Sequence, residues 1–415
     1  MQLKGRLLFI LVQYHSLLCG YTPLETVLSC SQLLHSKSID EALKTLPATI
    51  KFQGEFYTIE RPLLQTYPYL KEKLAWIDLA QLPTPIKKMN GLGEVLKHSQ
   101  LYLKDDGKTN EKVGGNKVRK LEIVLADALY QGAQDVVTFG CIGSNLVTET
   151  CACAEKFGLG CFVHLKPEPN STMVKNNLLL DYLYNAHMYF YPNEELRSIG
   201  AVHEIVQYGL NHKTLPYIIP TGASSALGAI GYVNAAFELK NQIEEGLLPK
   251  PDYIYIPVGS LGSVVGLAIG LKVANIDTHI IAVGADYEDY QSTFLKLAQE
   301  CNDLLHKLDT TFPLLDVADF SISFDCNFVG RGYAYFTSEG LKAIESFKEL
   351  ENIQLDGVYS GKCAAAFIEH IKTNLPLKNK VILFWNTFGI HEQVNNPKLY
   401  KNLPKSLHQF FEDKI

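Results

Sequence analysis

The feature of this sequence that most limits its fold is a series of short apolar runs that alternate with helical segments. We predict a helix over residues 146–157 and strands over residues 101–104, 135–139, 161–165, 253–258, 279–283 and 381–385. Short apolar runs between helices are typical of a parallel sheet with helices on both faces. The sequence therefore predicts an α/β protein built on mostly parallel sheets.

Three of the predicted strands run directly into loops of glycine and small polar residues. These loops are residues 140–145 (GCIGSN), 259–263 (GSLGS) and 386–389 (NTFG). In folds with open parallel sheets, ligands bind beyond the carboxyl ends of the strands. The repeated placement of the three loops therefore predicts a ligand site.

The second loop, Gly259-Ser260-Leu261-Gly262-Ser263, precedes an apolar helix that we predict over residues 264–274. A helix N-terminus offers free N–H groups and a partial positive charge, and glycines let the backbone approach an anion. A tight turn with helix caps would give the same pattern. No lysine follows as in a Walker loop, and the spacing and acidic partner of a nicotinamide site are missing. The loop is thus a candidate for another kind of phosphate site.

Residues 114–122, GGNKVRKLE, form the most informative segment. Lys117 falls at the predicted start of a helix, where the helix dipole and the cations Arg119 and Lys120 disfavour its protonation. A lysine with a lowered pKa is what Schiff-base chemistry requires. Lys120 lies three residues further on, on the same helical face, from which it can reach a phosphate. A basic surface helix would show the same pattern, so the segment alone leaves both readings open.

This segment resembles the cofactor-lysine segment of D-cysteine desulfhydrases and 1-aminocyclopropane-1-carboxylate (ACC) deaminases. These are pyridoxal-phosphate enzymes of fold type II, the tryptophan-synthase-β-like fold. The resemblance spans most of residues 75–395, and further matches in the same order are YLKDD (102–106), IPTGASSALGAIGY (219–232) and LDGVYSGK (355–362). It implies two open, mostly parallel sheets flanked by helices.

The resemblance also implies a division of the chain. Residues 1–74 are then an N-terminal extension of unknown role, and residues 75–415 form the catalytic unit. We expect a smaller domain at roughly residues 120–235 and a larger domain made from the remainder. An apolar stretch at residues 7–12 weakly resembles an export signal, but polar residues 13–16 interrupt it.

Charge and cysteine content indicate the setting in which this chain works. Its net charge of −6 gives no reason to expect a nucleic-acid partner. Nine scattered cysteines without a CxxC motif are typical of reduced thiols. We therefore expect a cytoplasmic protein with no membrane partner and no metal, and the resemblance implies a homodimer.

The resemblance implies a role for each candidate site residue. Lys117 carries pyridoxal 5'-phosphate as a Schiff base and then serves as the base for the substrate α-proton. The other cofactor-binding candidates are Asn116, Lys120, Asn145, residues 259–263 and Ser360. Lys120 and residues 259–263 hold the phosphate. Asn145 forms a hydrogen bond with the pyridine hydroxyl, and Ser360 faces the pyridine nitrogen. Ser144 meets the substrate carboxylate or the reacting centre. Tyr333 and Tyr359 line the substrate side.

The sequence departs from the family pattern on the substrate side. Gly143 and Leu146 replace the glutamine and histidine of a Q-S-N-H segment, and Phe388 enters a late loop that reads H-T-G-G in the family. We predict a lyase or deaminase that acts on a small amino acid, foremost by converting D-cysteine to pyruvate, ammonia and sulfide. ACC ring opening to 2-oxobutanoate and ammonia, β-replacement synthesis, and cofactor binding without turnover stay open.

Overall fold

The computed structural model describes residues 57–373, 375–396 and 398–412 of the 415-residue chain. Residues 1–56 of the predicted extension, with the apolar stretch that resembles an export signal, lie outside these ranges. The described chain divides into two compact units. The smaller unit contains residues 125–221 and 393–412, and the larger unit contains residues 57–124 and 222–392.

The secondary structure alternates between strands and helices through most of the described chain. The strands are β1 (Ile86–Lys88), β2 (Leu101–Asp105), β3 (Val113–Gly115), β4 (Asp135–Cys141), β5 (Gly160–Lys166), β6 (His187–Phe190), β7 (Tyr217–Ile219), β8 (Tyr253–Val258), β9 (His279–Gly284), β10 (Ile322–Asp325), β11 (Ile382–Asn386) and β12 (Phe388–His391). The α-helices are α1 (Pro62–Thr66), α2 (Asn90–Leu96), α3 (Asn116–Tyr130), α4 (Asn145–Lys156), α5 (Thr172–Leu183), α6 (Glu194–His212), α7 (Ala226–Glu244), α8 (Gly262–Val273), α9 (Tyr290–Leu308), α10 (Ser338–Glu351), α11 (Ser360–Thr373) and α12 (Gln409–Glu412).

The larger unit is built on a six-stranded sheet in the order β1-β2-β11-β8-β9-β10. Its neighbouring strands are parallel except for the antiparallel pair of β1 and β2. Every residue of β2 and β11 is buried, as expected for strands covered on both faces. A separate two-stranded ribbon pairs β3 with β12. The predicted parallel sheet is therefore confirmed.

Two apolar clusters cover the faces of this sheet. One cluster contains residues of α7, α8 and α9. Helix α8 is buried from Gly262 to Leu271, as expected for an inner helix that is apolar on all sides. The other joins α11 to β2 and β11 through Phe367 and Phe384. Leu63, Leu64, Leu70 and Leu74 belong to the first cluster. Residues 57–74 therefore contribute leucines to the core of the larger unit, and the division of the chain at residue 74 stays a prediction.

The smaller unit contains a four-stranded parallel sheet in the order β6-β5-β4-β7. Val137 and Phe139 of β4 pack with Ala201 and Ile205 of α6 on one face. The predicted smaller domain of roughly residues 120–235 overlaps this unit over residues 125–221, whereas residues 222–235 lie in the larger unit. The strands predicted at residues 135–139 and 161–165 are observed as β4 and β5, each slightly longer than predicted.

Candidate active site

Lys117 is the second residue of α3, which begins directly after β3. Its ammonium nitrogen donates to Oδ1 of Asn116 at 2.7 Å. The same nitrogen lies 5.9 Å from the centre of the Tyr359 ring, within range of a cation–π interaction. The sequence prediction that this lysine stands at a helix start is confirmed.

Asn116 connects the lysine segment to the GSLGS loop. Its side-chain amide donates to Oγ of Ser263 at 2.9 Å. Its backbone N–H donates to the carbonyl oxygen of Thr387 at 3.1 Å. The first residue of α3 is thus held on one side by α8 and on the other by the segment between β11 and β12, and Lys117 is positioned by both.

The GSLGS loop and α8 bring several hydrogen-bond donors together at one point. Ser224 donates to Oγ of Ser260 at 2.8 Å and accepts from the backbone N–H of Gly262 at 3.1 Å. Lys120 is buried, and its ammonium group lies 3.3 Å from Oγ of Ser224 and 2.9 Å from the carbonyl oxygen of Gly222. A lysine, two serine hydroxyls and the N-terminus of a buried helix suit a phosphate group.

Two glycines keep the space around these donors open. A Cβ on Gly222, whose φ is 71°, would lie 1.7 Å from Oγ of Ser260. A Cβ on Gly262 would lie 2.6 Å from Oγ of Ser224 and 3.0 Å from Nζ of Lys120. Any larger residue would therefore enter the space among the donors. We refer to Lys120, Gly222, Ser224 and residues 259–263 as the anion cradle.

Tyr333 and Tyr359 form a hydrogen-bonded pair. Their hydroxyl oxygens lie 2.8 Å apart, and the rings meet edge to face with centroids 5.8 Å apart. A Cβ on Gly259 would come within 3.0 Å of Cε1 of Tyr359, so the tyrosine lies against the anion cradle. The larger unit therefore brings together Lys117, the GSLGS loop and both tyrosines.

Lys362, which was not predicted as a site residue, contacts the backbone next to this tyrosine pair. Its buried ammonium group donates to the carbonyl oxygens of Gly332 at 2.9 Å and Ala285 at 3.0 Å. Burial lowers the pKa of Lys362, and the charges of Asp286 and Asp356 act in the opposite direction. Since Gly332 precedes Tyr333 and Lys362 follows Tyr359 by three residues, this lysine links the two tyrosine segments.

Ser360 is the first residue of α11 and is fully buried. Its hydroxyl donates to the carboxylate of Asp356 and accepts from the Asp356 backbone N–H at 2.8 Å. The same carboxylate accepts from the backbone N–H of Ser360 at 2.7 Å. These contacts fix the orientation of the hydroxyl, and the role of Ser360 opposite a pyridine nitrogen stays a prediction.

Ser144 and Asn145 belong to the smaller unit, where β4 leads into α4. The Ser144 hydroxyl accepts from the backbone N–H of Val147, which caps the helix and explains its start at residue 145. Asn177 of α5 donates to Oδ1 of Asn145 at 3.2 Å and to the carbonyl oxygen of Gly143 at 3.0 Å. The sequence did not single out Asn177, because it lies 32 residues after Asn145.

A buried ionic network lies beneath the start of α3. Arg119 donates to both carboxylate oxygens of Asp106 at 2.7 and 2.9 Å and to Glu238 at 2.9 and 3.0 Å. Lys104 donates to the same glutamate at 2.6 Å. Burial alone would raise the pKa of Glu238, but Arg119 and Lys104 outweigh it and hold that pKa well below its usual range. Two cations and two anions therefore anchor α3.

Phe388 begins β12 and pairs with Gly115 of β3, next to the lysine segment. Within the described residues, no group of three or more histidine, cysteine or acidic side chains could hold a metal ion. None of the helices in the same part of the chain is both long and apolar enough to cross a membrane.

Comparison with known proteins places these observations in context. A family model described as pyridoxal-phosphate dependent enzyme matches residues 77–387. A D-cysteine desulfhydrase of Yersinia pestis (strain Pestoides F) is 34% identical over 335 residues, which cover 77% of this chain and 96% of the relative. A D-cysteine desulfhydrase of Serratia proteamaculans (strain 568) is 32% identical over 78% of this chain and 99% of the relative.

One solved structure, described as an ACC deaminase homologue, superimposes with a TM-score of 0.68 at 28% identity. The match covers 80% of this chain and 96% of that one. The resemblance therefore extends through both described units.

Proposed function

This chain belongs to the family of pyridoxal-phosphate dependent enzymes, and we propose that it releases sulfide and ammonia from D-cysteine to leave pyruvate. The observation that carries the proposal is the 34% identity to a D-cysteine desulfhydrase over 77% of the chain. The geometry of the larger unit supports it, because Lys117, the anion cradle and a tyrosine pair are the groups that such a reaction needs.

Pyridoxal 5'-phosphate is the cofactor, and the residues of the larger unit fit it. The anion cradle would hold the phosphate through Lys120, Ser224 and the first N–H groups of α8. Its glycines leave the space among these donors that a Cβ would fill. Lys117 would carry the aldehyde carbon. When bound, the cofactor supplies a conjugated ring that accepts the electron pair left at the substrate α-carbon.

Lys117 is the residue that we propose as the base. It stands at the N-terminus of α3, where the helix dipole favours the neutral amine over the ammonium form. A neutral amine held close to the α-carbon accepts its proton at Nζ. Asn116, which accepts a hydrogen bond from Nζ, orients the amine for this transfer.

We propose that the tyrosine pair donates a proton to the sulfur as it leaves the substrate. One of two hydroxyls 2.8 Å apart donates to the other, which leaves a single phenolic hydrogen to point elsewhere. This hydrogen can pass to the leaving sulfur, and the second phenol stabilises the resulting oxygen. Lys362 positions the pair through Gly332.

We assign the remaining candidates by their chemistry. Ser144 is proposed to bind the substrate carboxylate, and Asn145 to bond the cofactor hydroxyl. Ser360 is proposed to face the pyridine nitrogen with the oxygen of a neutral hydroxyl, whose hydrogen is donated to Asp356. The resemblance further supports a homodimer. Within the described residues seven cysteines form no disulfide, which supports a reducing compartment such as the cytoplasm.

The near-visible absorption spectrum tests this function. We compare the wild type with Lys117→Ala and with Lys112→Ala, which removes an exposed lysine two residues before the lysine segment, before and after addition of D-cysteine. We expect a yellow wild type that releases pyruvate and sulfide, an unchanged Lys112→Ala, and a Lys117→Ala protein without the band or the products. A wild type that takes up no pyridoxal phosphate would contradict the assignment. A yellow protein inert to D-cysteine would contradict the elimination alone.

ACC deamination is the second candidate, favoured by the likeness to a structure described as an ACC deaminase homologue. ACC has no α-hydrogen, so its ring opening requires a nucleophile or removal of a β-proton. The same protein incubated with ACC should release 2-oxobutanoate if this candidate is correct. Gly143 and Leu146 in place of polar side chains lead us to rank elimination first.

A further inference from the structure

The glycine at position 143 leaves space that another side chain occupies. A Cβ on Gly143 would lie 2.1 Å from Oε1 of Glu168 and 2.7 Å from Cγ2 of Val174. The family that this sequence resembles has a glutamine at position 143. In this chain, the carboxylate of Glu168 lies where the Cβ of a larger residue at position 143 would be.

Sheet register explains why Glu168 reaches this position. The last residue of β4, Cys141, is the parallel partner of Lys166, the last residue of β5. The next backbone N–H, that of Ile142, donates to the Lys166 carbonyl oxygen at 3.0 Å and joins the two loops. Glu168 follows β5 by two residues, so its carboxylate lies at the same edge of the sheet as the loop that carries Ser144.

Two cations at this edge of the sheet pair with Glu194. Lys166 pairs with Glu194 at 2.7 Å, and Arg197 pairs with the same glutamate and donates to the Gly140 carbonyl oxygen at 3.3 Å. Burial raises the pKa of Cys141 to about 12; the negative charge of Glu168 is the second cause, and the charges of Lys166 and Arg197 act in the opposite direction. The charge of Glu168 therefore acts at the end of β4, directly before the loop that carries Ser144.

We propose that Glu168 determines substrate specificity, favouring amino acids whose side chains are cationic or donate hydrogen bonds over those whose side chains are anionic. The inference rests on the proposed function, because it takes the loop of Ser144 as substrate-binding. A carboxylate attracts a cation, accepts a hydrogen bond and repels an anion. The thiol of cysteine is a hydrogen-bond donor and satisfies this requirement.

Ligand binding tests the proposal without turnover. We titrate the pyridoxal-phosphate-loaded protein with both enantiomers of 2,4-diaminobutyrate, homoserine and aspartate, which have similar sizes and cationic, neutral and anionic side chains. The change in cofactor absorbance reports binding. We expect the wild type to bind diaminobutyrate at least about tenfold more tightly than aspartate. In Glu168→Gln, this ratio of affinities should fall by about tenfold.

Two further variants make the test specific. Gly143→Ala introduces a Cβ that displaces the Glu168 carboxylate, and we expect it to shift the ratio in the same direction as Glu168→Gln. Glu195→Gln removes an exposed carboxylate near the start of α6 and should leave the ratio unchanged. Thermal unfolding of each variant checks that the smaller unit stays folded.

The outcomes separate this inference from the proposed function. A folded Glu168→Gln protein with the wild-type ratio would overturn the role of Glu168, whether or not the wild type converts D-cysteine. A ratio that falls in a protein inert to D-cysteine would keep the specificity role and overturn the elimination. Absorbance that no amino acid changes would overturn both.

Discussion

The hydroxyl oxygens of Tyr333 and Tyr359 lie 2.8 Å apart, although the two residues come from different segments of the larger unit. Phe336, three residues after Tyr333, adds a second link between these segments. A Cβ on Gly357 would lie 2.6 Å from Cδ1 of the Phe336 ring, so the ring packs directly against the Gly357 backbone. The two tyrosine segments are therefore connected both by Lys362 and by Phe336.

Removal of either hydroxyl should impair catalysis and leave cofactor binding unchanged. We expect the phenol that faces the leaving group to account for at least about a hundredfold in kcat, as a general acid does. Its partner should account for about tenfold, the effect of a lost orienting hydrogen bond. Steady-state kinetics of Tyr333→Phe and Tyr359→Phe measure this. Tyr335→Phe, an exposed tyrosine of the same loop, is the control. Wild-type rates in both variants would contradict the assignment.

The anion cradle should depend on Gly222. Gly222→Ala places a Cβ 1.7 Å from Oγ of Ser260, so we expect the affinity for pyridoxal phosphate to fall by at least about tenfold. Gly246→Ala is the matched control, because Gly246 has a similar φ of 78° but no atom within 4 Å of the new Cβ. Both variants should lose about 1 kcal/mol of unfolding free energy from the left-handed backbone. Equal cofactor affinities, measured by titration of the apoprotein, would contradict a phosphate role for the cradle.

The buried ionic network should dominate the stability of the larger unit. Glu238→Gln leaves Arg119 and Lys104 with one acid fewer, and we expect a loss of about 3–5 kcal/mol in unfolding free energy at pH 7. The pKa of Glu238 is lowered in the folded state, so its stabilisation is complete above the unfolded value near 4.5 and declines as the pH falls below it. Urea unfolding at pH 7 and pH 4 measures both effects, and Glu245→Gln on the surface is the control. An equal loss of unfolding free energy in Glu238→Gln at pH 7 and pH 4 would contradict the expected decline of this stabilisation at low pH.

Asp181 should show the opposite pH dependence. Burial raises its pKa from 3.8 to about 8, although the Thr148 hydroxyl donates to it at 2.7 Å and acts against the shift. Its stabilisation by protonation is present below pH 3.8 and is lost as the pH rises through 8. We expect Asp181→Asn to be more stable than wild type by more than about 2 kcal/mol at pH 8, and nearly equal at pH 4. Unfolding curves that differ equally at both pH values would contradict this expectation.

The sequence was sufficient for the lysine segment and the parallel sheets because both depend on local patterns. Two glycines before a lysine, and apolar runs before small-residue loops, are visible in short windows. The predicted helix at 264–274 begins two residues earlier, at Gly262, because Leu261 adopts a left-handed conformation and acts as the N-cap. The positive φ of Leu261 cannot be predicted from the neighbouring residues.

The residues that sequence reasoning missed act over long separations. Lys120 and Ser224 meet across 104 residues, and Arg119 and Glu238 across 119. Ser224 lies within residues 219–232, which resemble a family segment, but nothing in that segment indicated that its hydroxyl contacts the GSLGS loop. The leucines of residues 57–74 were missed because their helices are only five residues long and show no clear period. Only tertiary packing reveals such contacts.

In helix α3, the residue proposed for the chemistry, Lys117, and the residue that anchors the helix, Arg119, are different and lie within one turn. The network holds α3 through Arg119, while Lys117 contributes only its amine to the chemistry. The nucleophile can therefore be deleted without loosening the helix that presents it. Lys117→Ala should unfold with nearly the wild-type free energy, so that its loss of cofactor absorbance and activity reports the missing amine and not a disordered helix.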